Sequence, residues 1–118
     1  MLNLTEDPAV VKLIDKINEK AKMGSYVVSD VVCHKDGREL QFVDLVMEGG
    51  GALGIALVGY IHALEQVGIR FLGIGGSSVG AIVSLLAYSY GERTEARGEK
   101  LAAIISGMNL GELIDENQ

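Results

Sequence analysis

Residues 44–88 read DLVMEGGGALGIALVGYIHALEQVGIRFLGIGGSSVGAIVSLLAY, and how this stretch divides decides the fold. Phe42 to Met47 is a short β-rich apolar run. It opens into Glu48-Gly49-Gly50-Gly51-Ala52-Leu53-Gly54, after which Ile55 to Val67 has helical length and is closed by Gly68. The order then returns, with Ile69 to Ile74 as strand, Gly75-Gly76-Ser77-Ser78-Val79-Gly80 as turn, and Ala81 to about Tyr90 as helix. A strand–loop–helix unit used twice calls for an α/β fold with a mainly parallel sheet between helices.

Upstream, Asp7 and Pro8 suit a cap and a first helical position. Val10, Leu13, Ile14, Ile17 and Ala21 then recur at helical spacing, so residues 8–22 read as an amphipathic helix. Ser25 to Cys33 and Leu40 to Met47 flank Asp36-Gly37, the residue pair of a tight hairpin turn. Downstream, Glu95 to Met108 places Leu101, Ile104, Ile105 and Met108 on one helical face, and residues 109–118 turn polar. No third central strand follows. The expected organisation is an N-terminal helix over 1–24 and, over 25–118, the N-terminal portion of a larger α/β domain.

Composition narrows the function classes. Of 118 residues 48% are hydrophobic, with no tryptophan, so the core is built from Val, Ile, Leu and Ala, and general disorder is excluded. A net charge of −6 argues against nucleic acid, and no Lys/Arg run marks an anionic-membrane patch, so any lipid contact is expected to be apolar. Cys33 is the one cysteine, which excludes an internal disulfide and a cysteine-based metal site and fits a reducing compartment. Met1 to Asp7 lacks the basic start and apolar run of a secretory signal. Residues 71–91 carry no charge, which raises a membrane span, but the glycines clustered in their first half favour a strand and helix joined by a turn.

Two motifs carry chemistry. Gly49, Gly51 and Gly54 satisfy GxGxxG, which brings backbone amides at a helix start close to an anion. A dinucleotide site would need an acidic residue about twenty positions on, where Ile69 to Ser78 has none. A P-loop would need a Lys-Ser or Lys-Thr pair. The same amides can instead face the oxyanion of a tetrahedral acyl intermediate. Gly76-Ser77-Ser78-Val79-Gly80 matches GxSxG between a strand and a helix, the setting of a nucleophile elbow. Only Ser78 has glycine two residues away on both sides, which leaves Ser77 the ordinary serine of the pair. The competing reading of Ser78 is a helix cap; two such loops at the carboxyl ends of adjacent strands favour a serine hydrolase scaffold.

Over about residues 42–90 the chain closely resembles the patatin-like phospholipase family. In that family a GGGxxG loop donates oxyanion-hole amides, a GxSxG elbow supplies the nucleophile, and the aspartate of a later Asp-Gly-Gly or Asp-Gly-Ala motif is the base of a Ser-Asp dyad. The resemblance implies Ser78 as nucleophile, Gly49, Gly50, Gly51 and Gly54 as the oxyanion loop, Gly76 and Gly80 as the elbow glycines, and neither metal nor cofactor. Two departures stand out. Leu53 takes a place the family often gives to Lys or Arg. The one Asp-Gly pair, Asp36-Gly37, precedes the nucleophile, ends in Arg38 and suits a turn, while Asp44 reads as an exposed strand-end carboxylate. Neither histidine follows the serine: His34 lies near the hairpin turn, and His62 shares a helix face with Glu65 and Gln66, opposite Leu53, Leu57 and Leu64, and reads as a surface residue.

The expected function is a lipid acyl hydrolase acting on a lipid ester or phospholipid, cytoplasmic or peripheral to a membrane, whose catalytic aspartate is absent here. The 118 residues by themselves are then inactive and prone to self-association through an uncovered sheet edge. A non-catalytic lipid- or partner-binding form of the fold, and a nucleotide-binding domain using the GxGxxG loop, are the alternatives.

Overall fold

The structure is a computed structural model that describes residues 6–22, 27–50, 54–89 and 91–107. Its elements are α1 (Pro8–Lys22), β1 (Val32–Lys35), β2 (Arg38–Met47), α2 (Gly54–Gln66), β3 (Ile69–Gly76), α3 (Val79–Ser89) and α4 (Gly98–Gly107). The strands form one sheet in the order β1-β2-β3. β1 pairs antiparallel with β2, and β2 pairs parallel with β3 from Gln41↔Ile69 to Met47↔Gly76. The sheet is therefore mixed, with the α2 crossover supplying its parallel pair. β2 and β3 end side by side, and both motif loops leave from that edge.

Local chemistry explains the boundaries. Asp7 caps α1, its Oδ1 accepting the Ala9 N–H at 2.8 Å, with Pro8 at the first helical position. Asp36 and Gly37 have φ of 53° and 75°, the paired positive values of a two-residue hairpin turn whose twist matches its strands. That turn carries β1 on to Lys35, two residues beyond the expected strand end. Residues 27–31, expected as strand, are irregular and fastened to β2: Gln41 Oε1 accepts the Val28 and Ser29 N–H groups, and the Phe42 N–H donates to the Val31 carbonyl. Gly68, at φ 88°, ends α2 and turns the chain into β3.

One core holds the helices to the sheet. Ile14, Met47, Val58, Ile61, Val67, Ile69, Phe71, Val79, Val83, Ala87, Leu101 and Ile105 are buried together. Ile14 ties α1 to this core, while Leu13, on the expected α1 stripe, is 61% exposed. Along β2, Val43, Leu45 and Met47 pack towards the core, whereas Asp44 is exposed and Val46 is 82% exposed on the opposite face. Residues 71–89, which make up most of the uncharged run, are strand, turn and helix, and no helix among the described residues is long and apolar enough to cross a membrane.

α2 departs from the simple two-faced helix read from its sequence. His62 and Glu65 are not surface residues: they are 6% and 2% exposed, because α4 lies across them. The approach is close enough that a Cβ on Gly98 would sit 2.6 Å from the His62 Cα. Glu65 Oε2 and Oε1 accept the Arg97 and Gly98 N–H groups, each at 2.7 Å, so this carboxylate satisfies the first amides of α4. Burial pushes the Glu65 pKa up from its ordinary 4.5, against those two amides and the charges of Arg70 and Arg97, which lower it. The folded state then holds this proton more tightly than the unfolded chain, so stability falls as pH rises from 4.5 through the folded value. Glu65→Gln removes the titration and is expected to remove that part of the decline, read by urea unfolding across a pH series. A stability difference between the two proteins that stays constant with pH would contradict this.

Candidate active site

The β2 and β3 carboxyl ends are fixed first. Met47 and Gly76 are ladder partners, and the Ser77 N–H donates to the Met47 carbonyl at 3.1 Å, carrying the pairing one residue past β3. The chain then reverses at Ser78, whose φ is 53°, and α3 begins at Val79. Gly80 N–H to Ser77 O and Ala81 N–H to Ser78 O, both 2.9 Å, close the first turn. Besides Asp36 in the hairpin turn, Ser78 is the only non-glycine residue with positive φ among the described residues. A side chain in that region costs about 1–2 kcal/mol, which the surrounding packing must offset.

That packing is what the glycines permit. A Cβ on Gly80 would lie 2.5 Å from the Met47 carbonyl oxygen, and one on Gly76 would lie 2.7 Å from the same oxygen and 2.6 Å from the Gly80 carbonyl carbon. A Cβ on Gly49 would lie 2.6 Å from Ser78 Cβ and 2.9 Å from the Ser77 carbonyl oxygen. The backbone of β2, the elbow and the start of α3 thus touch with no room for a methyl group. Gly49 abuts Ser77 and Ser78, Gly76 and Gly80 close on the Met47 carbonyl, Gly50 follows on the exposed side, and Gly54 is the buried first residue of α2. Gly51 and Leu53 lie outside the described residues.

Ser77 has a part its sequence position did not suggest. Its Oγ accepts the Gly49 N–H at 3.2 Å, tying the glycine loop to the elbow. The Gly49 amide is therefore engaged, and Gly50 is the next amide along the loop. A turn serine gives no sequence signal for such a bond, which depends on β2 and β3 ending in register. Ser78 is exposed, and its Oγ makes no hydrogen bond within the described residues.

No carboxylate or imidazole among the described residues that the sequence offered as a base is brought to Ser78. Asp36 precedes the ten-residue β2, whose far end lies beside the elbow, so it is roughly 30 Å away at 3.3 Å per residue. Asp44 is exposed on β2, where its Oδ1 would lie 3.0 Å from a Cβ on Gly73. His34 pairs with Glu39 Oε2 at 3.4 Å across the hairpin. His62 is held beneath α4, and burial lowers its pKa, with Glu99 opposing. No group of three His, Cys, Asp or Glu side chains among the described residues is arranged to hold a metal.

A parallel strand pair that sends a glycine loop and a sharp serine turn from the same edge defines the class of α/β scaffold. The sequence model of the patatin-like phospholipase family matches residues 45–113, more than half of the chain, and the chain belongs to that family. It is similar to lysophospholipase nte1 of Aspergillus niger, 49% identical over 55 residues that cover 45% of this chain and 4% of the relative. It is also similar to the uncharacterized protein YqhO of Bacillus subtilis, 40% identical over 67 residues covering 51% of this chain and 23% of the relative. The chain thus spans a small part of the length of these relatives. No solved structure matches it.

Proposed function

We propose that this chain carries the nucleophile half of a lipid acyl hydrolase, with Ser78 as the attacking residue. The observation that supports this most is the positive φ of Ser78 inside a glycine-walled turn, since a helix-capping serine needs no such conformation. In the reaction, Ser78 Oγ bonds to the ester carbonyl carbon while its proton passes to a base. The amides of Gly50 and Gly51 donate to the developing oxyanion, and Gly49 and Gly54 hold the loop that presents them. Collapse of the tetrahedral species breaks the ester C–O bond and the alcohol or lysolipid leaves with a proton. Water then hydrolyses the acyl-serine. Membership of the family and the similarity to lysophospholipase nte1 favour a phospholipid or lysophospholipid substrate met at a membrane surface.

The base is an aspartate outside the described residues, on a later Asp-Gly-Gly or Asp-Gly-Ala segment. On this reading the 118 residues hydrolyse p-nitrophenyl butyrate no faster than their Ser78→Ala variant. An oxyanion donor is worth about 3 kcal/mol, but an unactivated serine hydroxyl is a poor nucleophile at neutral pH. Light scattering of the same sample should show self-association, because β3 has no outer strand among the described residues and Val46 lies open. Robust Ser78-dependent turnover by a monomer would place a base within these residues and overturn this part of the proposal.

A further inference from the structure

At the end of the sheet opposite the elbow, the fold assembles a basic cavity from residues far apart in sequence. It has a volume of about 490 Å³ and is lined by Lys35 and Asp36 of the hairpin, Arg38 and Leu40 of β2, Arg70 of β3, and Thr94, Glu95, Ala96 and Lys100 around the start of α4. Four of the ten lysines and arginines of a chain with net charge −6 meet there. The carboxylates on its wall, Asp36 and Glu95, form no ion pair with any of the four.

Three of the cations are already bound to neutral oxygens, which fixes them without cancelling their charge. Lys35 Nζ donates to Thr94 Oγ1 at 2.8 Å, and Arg38 Nη2 donates to the Gln66 carbonyl. Arg70 Nε donates to the Thr94 carbonyl at 2.9 Å, and its Nη1 donates to the Glu65 and Ile69 carbonyls, both at 2.8 Å. Arg70 is 7% exposed, yet its Nη2 has no protein partner among the described residues. Thr94 Oγ1, having accepted from Lys35, keeps its own proton to donate. Burial lowers the Arg70 pKa, Glu65 raises it, and the charges of Arg38 and Arg97 lower it again. Such crowding of like charge is what a bound anion relieves. The first amides of α4 are not on offer, since Glu65 holds them.

We infer that this cavity binds a phosphoryl group, through Arg70 Nη2, Thr94 Oγ1 and the charges of Lys35, Arg38 and Lys100. A tetrahedral dianion, with several acceptor oxygens, can take the single free Arg70 nitrogen, the hydroxyl and three flanking cations together, which a single carboxylate cannot. The site is separate from the elbow and does not depend on the reaction proposed for Ser78.

Lys100 is exposed and makes no hydrogen bond among the described residues, so Lys100→Glu changes the cavity's charge without unpinning the fold. Lys12→Glu on α1 makes the same charge change elsewhere. Inorganic phosphate titrated into the labelled 118-residue protein at constant ionic strength should shift the amide resonances of residues 35–38 and 94–98 saturably in NMR spectra. Lys100→Glu should weaken this by at least about tenfold and Lys12→Glu should leave it within about twofold, because charge interactions fall off beyond the Debye length. The same spectra report whether each variant is folded. Vesicles of phosphatidylcholine with phosphatidic acid separate the sources. Binding that phosphate displaces identifies a lipid headgroup, and phosphate binding without vesicle binding identifies a soluble phosphate. Shifts that do not saturate, or that are equal in the parent and Lys100→Glu, would overturn the inference.

Discussion

Gly80→Ala is expected to destabilise this chain strongly. The added methyl carbon would meet the Met47 carbonyl oxygen at 2.5 Å and the Met47 carbonyl carbon at 3.0 Å. Neither is the end of a flexible side chain. Relief requires α3 to move off β2, which would also stretch the bond from Ser77 N–H to Met47 O and expose Val79 and Val83. Overpacking costs about 1–3 kcal/mol where side chains can yield, and more where they cannot, so a loss of about 3 kcal/mol and a fall of roughly 10 °C or more in Tm is the expectation. Gly76→Ala should behave alike. Ser78→Gly should do the opposite, raising stability by about 1 kcal/mol as the positive φ is relieved. Thermal unfolding followed by circular dichroism reads all three. A Gly80→Ala protein that melts with the parent would show that β2 and α3 do not approach as described.

The second large effect concerns turnover. In any version of the protein that includes the proposed aspartate segment, Ser78→Ala should lower kcat/KM for a p-nitrophenyl ester by at least about a thousandfold, as loss of a nucleophile does elsewhere. Ser77→Ala should cost less than about tenfold, because it removes one neutral hydrogen bond worth about 1 kcal/mol. That smaller loss comes from freeing the Gly49 N–H, which Ser77 Oγ now holds. Equal losses in the two variants would mean that the serines have been assigned the wrong roles. No turnover on any ester by such a protein, although correctly folded, would favour a non-catalytic lipid-binding role.

What the sequence made legible was local. The strand–loop–helix order over residues 42–89, the hairpin at Asp36-Gly37 and the helix end at Gly68 follow from period, glycine placement and turn chemistry, and they stand in the structure within a few residues. The walls around Gly76 and Gly80 were legible too, because a glycine pair bracketing a serine states its own steric reason. What was hidden depended on elements meeting across the chain. His62 and Glu65 lie on a polar stripe that looks solvated until α4 crosses it and supplies two amides to the carboxylate. Ser77 gains its partner only because two strands end in register. The sequence has no run of basic residues, yet Lys35, Arg38, Arg70 and Lys100 line one cavity once the hairpin, β3 and the start of α4 come together. Side-chain periodicity reports one helix face against one neighbour, and these sites have two or three neighbours each.

The most direct test of the central claim is the site of covalent capture by a fluorophosphonate probe in a protein that includes the proposed aspartate segment, located by mass spectrometry of the peptide spanning residues 71–93. The probe phosphorus should be found on Ser78, persist there in Ser77→Ala, and be absent from Ser78→Ala. Label on Ser77, or label that survives Ser78→Ala, would contradict the assignment of Ser78 as the nucleophile.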